Sequence, residues 1–474
     1  MTEDSTLSSR PTPSTGEAHK LYKTALIGLV ALFAYVVYQG WNLSAEKLTL
    51  TLICIGLAVW PAMRWLRTQP YQFPAFETFM LTCMASYALP VISDRTDLSF
   101  YGDEVIIKAL LAVILFQLIA LMTFHFAFAL PKKTPFWNDE IFHHDISSWL
   151  MPGLWIHVIY IFLSQFTQII PYEIDSVLRA IFFGIATGCS YILGRSWGAG
   201  LLPNGIKTGV FLALLCAAIF QITSLYLINA IASVLVFFLA YISAGKRIPF
   251  VTIGLLFVVL TILHNGKATM REKYWAPDAP TVSIQDLPSF FTEWVNYGLL
   301  PFQKDSGVTK KRELLERASL LHIMCLVVDS TDRGLPFLSG ETYANVPTML
   351  IPRFFWPDKP SGQITTRRLG IHFGLQDESS SKTTSIGFGV IAEAYANFGY
   401  FGVLLLGLLI GWSNKVVSIW TSNAPLISNG GFLMILLMAW AIQVELPMSV
   451  WVSSFFQASI CMLGIPYALK RLVG

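Results

Sequence analysis

Apolar residues run in long blocks along both ends of this chain, too long for the alternating pattern of strands or the one-sided stripe of soluble helices. Such blocks recur near 23–41, 48–66, 74–92, 105–130, 147–167, 174–194, 206–222, 225–244, 248–264, 400–420, 428–446 and 449–469. Each approaches the roughly 20 residues that a helix needs to cross a bilayer. The pattern predicts an all-α polytopic membrane protein with about 12 transmembrane helices. Only the pair around "FQITSLYLIN" (220–229) is ambiguous, because this weak turn permits either a hairpin or one long broken helix over 206–244.

Between 265 and 399 the pattern changes. This stretch of roughly 135 residues holds nearly half the charged residues of the chain, with almost equal numbers of each sign. It is too long for a connector and too balanced to be a basic coat for a membrane surface. The chain therefore divides into a disordered tail (1–22), a bundle of about nine spans (23–264), one large external loop with short helices (265–399) and C-terminal spans (400–474).

Composition agrees: 54% of residues are hydrophobic and 13% charged, far from the roughly 25% charged of a soluble domain. A net charge of +3 without a Lys/Arg run gives no footprint for nucleic acid. No zinc-spaced Cys/His group or dinucleotide-binding glycine pattern occurs, so no metal or cofactor is expected. Charge placement gives an orientation. With the N-terminus inside, the inner connections carry Arg64, Arg67, Lys132, Lys133, Arg195, Lys207, Lys246, Arg247, Lys415, Lys470 and Arg471. The outer ones carry Glu46, Asp94, Asp97, Asp103, Glu104, Glu173 and Asp175. This is the positive-inside pattern. It holds only if 206–244 is a hairpin, and it puts both termini in the cytoplasm and 265–399 outside.

Chemistry-bearing side chains cluster in that external segment. "GKATMREKYW" (266–275) places Lys267 and Arg271 one helical turn apart, either as snorkelling anchors or as a two-cation face for a phosphate. "KKRELLERASLLHIMCLVVDS" (310–330) reads as a helix packed on the bundle or lying in the interface, with His322 structural. In "SGETYANVPTMLIPRFFWPDKP" (339–360), Glu341 is placed to cap a helix after Ser339. Prolines 347, 352, 357 and 360 fix a stiff path there, and Phe354, Phe355 and Trp356 suit the headgroup level, which puts Arg353 at the membrane edge. "TTRRLGIHFG" (365–374) adds Arg367, Arg368 and His372, and "AEAYANFGYFG" (392–402) brings Glu393, Tyr395 and Asn397 to the mouth of a span. A carboxylate at that depth needs a cavity or a partner, such as a neighbouring Arg.

"GETYANVPTMLIPRFFWPDKP" followed by "AEAYANFGYFG" resembles the Wzy-type polymerases of bacterial O-antigen and exopolysaccharide repeat units, over about 330–410. The resemblance implies a glycosyltransferase of the inner membrane with GT-C-like architecture. Its substrate would be oligosaccharide carried on undecaprenyl pyrophosphate at the periplasmic face. It also implies a chain-length regulator and a flippase as companions. Lys267, Arg271, Arg353, Arg367 and Arg368 would then bind the pyrophosphate, since guanidinium groups grip phosphate bidentately. Glu341, Glu393 and His372 are the candidate bases for the acceptor hydroxyl, with Tyr395 and Asn397 supporting. O-antigen ligases share this architecture, and a carrier or flippase of lipid-linked oligosaccharide is an alternative of a different class. A carrier is expected to place charges within several spans.

Overall fold

The computed structural model describes residues 15–68, 74–92, 98–128, 130, 136–138, 147–167, 169–225, 227–244, 250–275, 282–303, 319–351, 355–356, 358–360, 362–378, 381, 386–422, 424–425, 428–464 and 467. Among these the protein is all-helical. In chain order the helices are α1 (Thr15–Gln39), α2 (Ala45–Thr68), α3 (Ala75–Ile92, finishing in π and 3₁₀ turns), α4 (Asp103–Phe126), α5 (Ser147–Phe166), α6 (Tyr172–Ala199), α7 (Asn204–Ile222) and α8 (Leu227–Ser243). There follow α9 (Phe250–Tyr274), α10 (Leu287–Gln303), α11 (Leu321–Asp332), α12 (Asn345–Leu350), α13 (Ile364–His372), α14 (Gly389–Thr421), α15 (Asn429–Ala441) and α16 (Met448–Ser459).

Every predicted apolar block coincides with a helix. Among the described residues, six stretches are long and apolar enough to cross a membrane: Tyr22–Gln39 within α1, together with α2, α3, α4, α7 and α14. Helix α6 carries Asp175, Arg179 and Arg195 in its 28 residues, and α8, α15 and α16 have 17, 13 and 12 residues. The ambiguous pair is a hairpin, since α7 and α8 pack on each other across a turn where Leu225 takes a left-handed φ of 62°.

Several boundaries differ from expectation. Residues 15–22, expected in the tail, already belong to α1, and 1–14 lie outside the described residues. Helix α4 stops at Phe126, and α9 continues past 264 to Tyr274, so Lys267 and Arg271, expected one helical turn apart beyond the span, lie on the same helix as the span. That extension is held by α10, whose Trp294 indole N–H donates to the Leu263 carbonyl at 2.7 Å. Of the helix expected over 310–330 the structure describes α11, while 304–318 lie outside the described residues. Arg195, assigned from sequence to an inner connection, is instead buried in α6.

The main core is built on α14 packed along α4. A Cβ at Gly411 would lie 2.4 Å from the Ala120 carbonyl oxygen, so only glycine permits this backbone approach. Helix α2 also packs on α4, α6 packs on α8, and a second small core of Leu225, Leu263, Met270, Phe290 and Trp294 lies under the α9–α10 pair. Charges of both signs meet at the start of α4: Lys47 with Asp103 at 2.7 Å, and Lys108 with Glu104 and Asp332 at 2.8 and 2.9 Å. Near its end, Arg64 and Lys415 both contact His125.

Gly411→Leu should force α14 off α4, lowering stability by about 1–3 kcal/mol or more. Leu409→Ile, at a position 52% exposed, should be close to neutral. Thermal unfolding of the two detergent-purified variants measures the difference. Equal midpoints would contradict the packing described.

Candidate functional site

The site is organised by a break in α14. Phe398 (φ −144°, ψ 17°) and Gly399 (φ 60°, ψ −144°) leave helical geometry, which divides a short first segment from the apolar remainder. Positive φ makes glycine the residue suited to 399. A break orphans the carbonyls of the preceding turn, and the loop after α11 takes two of them. Leu338 N–H donates to the Ala396 carbonyl at 3.0 Å and Ser339 N–H to that of Asn397 at 3.1 Å. The buried Asn397 completes the join. Its Oδ1 accepts from Gly340 N–H at 3.0 Å, and its Nδ2 donates to the Thr342 hydroxyl and the Glu393 carbonyl, both at 2.8 Å.

Glu393 lies one turn earlier, fully buried. Its Oε2 accepts the Met448 N–H at 2.6 Å, the first residue of α16, where unsatisfied N–H groups and the helix dipole favour a carboxylate. Its Oε1 is buried without a hydrogen-bond partner among the described residues. Among the described residues this helix start stands where an Arg partner was expected for Glu393. Burial, with Glu393 adding to it, pushes the neighbouring Tyr343 phenol well above its usual range. Tyr395 supports the same corner through ring contacts with Phe337 and Tyr400, at 6.3 and 5.2 Å between centroids.

Helix α13 is tied in by the Ser449 hydroxyl, which donates to that of Thr365 at 2.8 Å. Arg368, also on α13, grips Glu341 bidentately, Nε to Oε1 at 2.8 Å and Nη2 to Oε2 at 3.0 Å, with both side chains about half exposed. Glu341 therefore does not cap a helix: α12 begins after Ala344 without a side-chain cap, and Ser339 sits at a φ of 49°. Arg367 projects about 100° away around the helix, and its Nε is buried without a hydrogen-bond partner among the described residues. His372 lies 3.0 Å from the Pro336 carbonyl through Nε2. A carbonyl only accepts, so Nε2 carries the proton and Nδ1 of the neutral ring is left as an acceptor.

Glu341, Arg367, Arg368, His372, Glu393, Tyr395 and Asn397 thus belong to one construction. The other nominated cations behave differently. Arg271 donates to the Leu225 carbonyl at 2.9 Å and lies 4.1 Å over the Trp275 ring. Lys267 approaches the turn before α16 that carries Glu445. That turn adjoins the site, because Gly389 N–H donates to the Glu445 carbonyl at 3.1 Å. Arg353 lies outside the described residues. Around it, Lys359 reaches back to the Ile351 carbonyl at 2.6 Å, and Phe355 and Trp356 are exposed.

Residues 197–434 match a family described as "Domain of unknown function (DUF8712)". The chain belongs to this family. The DUF8712 region runs from the end of α6 into α15 and contains every residue nominated above. No curated protein and no solved structure matches the chain. Sequence reasoning missed Thr342, Thr365 and Met448 as partners. The spacing Glu393–Asn397, followed by Gly399, was the available signal: two polar groups on one helix face before a helix-ending glycine.

Glu393→Gln keeps an oxygen for the Met448 N–H and should leave stability near the wild-type value. Glu393→Ala strands that donor and should cost about 1–3 kcal/mol. Denaturation of the purified variants separates them, and equal losses would mean that Glu393 does not cap α16.

Proposed function

We propose that this protein is a glycosyltransferase of the polysaccharide-polymerase type. It would join oligosaccharide repeat units carried on undecaprenyl pyrophosphate at the periplasmic face of the bacterial inner membrane. The observation that carries this reading is the gathering of Arg367, Arg368, Glu341 and His372 beside the break that leads into the apolar part of α14. Guanidinium groups at the mouth of a span suit a lipid-borne pyrophosphate, whose charge grows as the glycosidic bond breaks.

In the proposed step the acceptor hydroxyl oxygen attacks the anomeric carbon of the growing chain, and the carbon–oxygen bond to pyrophosphate breaks. The leaving group keeps the electron pair, and the hydroxyl proton passes to a base. Of the three candidate bases, Glu341 is occupied on both oxygens by Arg368, and Glu393 is fully buried on the start of α16. Among the described residues nothing bonds to His372 Nδ1, and His372 is the best placed. Arg368 would exchange Glu341 for phosphate when the substrate arrives, and Arg367, Lys267 and Arg353 would complete the cationic wall.

The same reading keeps the finer topology: about 12 spans in a GT-C-like arrangement, both termini cytoplasmic, and 265–399 periplasmic. A chain-length regulator and a flippase would be its companions. It is supported by bases at the end of α4 against mixed charges at its start. One observation favours the rival carrier reading: Glu77 of α3, His157 of α5 and Arg195 of α6 are all buried ionisable groups, as a translocation route would require.

Deletion should leave single repeat units capped on the lipid A core or its equivalent, without long chains. Polymer accumulating on its lipid carrier would identify a ligase, and repeat units trapped on the cytoplasmic side a carrier. In the complemented strain, His372→Ala should lower chain growth by about 100-fold or more at unchanged protein level. Normal growth would remove His372 from the base role.

A further inference from the structure

A second constellation lies at the other end of α14, away from the proposed reaction. Three helices meet where α4 ends, and α2 and α14 contribute donors. Arg64 of α2 donates through Nη1 to His125 Nδ1 at 3.1 Å. Lys415 of α14 donates through Nζ to the carbonyls of His125 and Ala127, at 3.0 and 2.5 Å. The two cations are therefore held against the side chain and the backbone of one residue. Like charges so placed repel, and among the described residues no carboxylate bonds to either. Trp412, one turn before Lys415, carries an indole Nε1 that is buried without a hydrogen-bond partner among the described residues. Its ring meets Phe128 at 6.0 Å between centroids, so it stands at the same corner.

A set made of donors and positive charge, with one donor unfilled, suits an anion with several acceptor oxygens. The surroundings specify its source. Trp60, Phe126 and Phe128 are 48%, 84% and 73% exposed around the cations, and the rings of Trp60 and His125 lie 5.2 Å apart. Aromatic rings beside cations at the ends of apolar helices form the usual setting of a lipid headgroup. We infer that Arg64, Lys415 and Trp412 bind the phosphate of an anionic phospholipid at the end of α4 and α14. Its acyl chains would lie over the exposed aromatic side chains. The lipid phosphate relieves the repulsion between Arg64 and Lys415 and fills the vacant indole N–H.

The test uses detergent-purified full-length protein in native mass spectrometry, with phosphatidylglycerol and phosphatidylcholine as competing probes. Lys415→Gln removes the cap on α4 as well as a charge, so Arg64→Gln and Trp412→Phe carry the test. Wild type should retain phosphatidylglycerol preferentially, and each of these two variants should lower that preference roughly ten-fold, the worth of one charge-assisted hydrogen bond. Arg333→Gln, at an exposed ion pair with Asp329, should leave it intact. Unchanged preference in both variants would overturn the proposal. So would an equal loss in Arg333→Gln, which would mean unspecific attraction, or displacement of the lipid by inorganic phosphate, which would mean a site for a free anion.

Discussion

The break at Phe398–Gly399 is the constraint on which the rest of the site depends. Orphaned backbone groups away from water cost about 1–3 kcal/mol each, so a helix interrupted inside a bundle needs donors brought to it. The chain supplies them from residues 338–340, nearly sixty positions earlier in sequence, and locks them with the amide of Asn397. One local irregularity thereby dictates a long-range contact. The loop that follows is fixed in place, and Glu341 within it is presented to Arg368.

From the same segment Glu393 reaches the first N–H of α16, and Ser449 in that helix holds Thr365 of α13. Four elements far apart in sequence are thus joined through hydrogen bonds. This explains how a stretch rich in proline and charge is held at the edge of an apolar bundle. There Lys359 reaches the Ile351 carbonyl, and Phe355 and Trp356 are exposed. It also explains why Glu393, fully buried, sits on the start of α16, and why His372 stands against the Pro336 carbonyl.

Much of the fold was legible in the sequence, because apolar length and turn residues are local signals: every predicted block is helical, and the 206–244 hairpin follows from the turn before α8. Helix ends were less legible. Helix α9 runs on to Tyr274 because α10 packs against it, a tertiary effect that a window of residues cannot contain. In the site, residue types were legible and partners were not. The pairing of Arg368 with Glu341, the diversion of Arg271 to Leu225 and Trp275, and the burial of Arg195 all depend on which helices meet. The helix break could have been read from Asn397 and Gly399, but the loop that answers it could not.

The central claim is that the group built around this break transfers glycan chains between lipid carriers. The most direct measurement places purified protein with undecaprenyl-pyrophosphate-linked repeat units, and follows both the length of the glycan and the release of undecaprenyl pyrophosphate. The account predicts a ladder of chains that lengthens with time, one lipid pyrophosphate freed for each unit added, and no ladder from the His372→Ala protein. Folded wild-type protein that binds the lipid-linked unit yet releases no lipid pyrophosphate would contradict it.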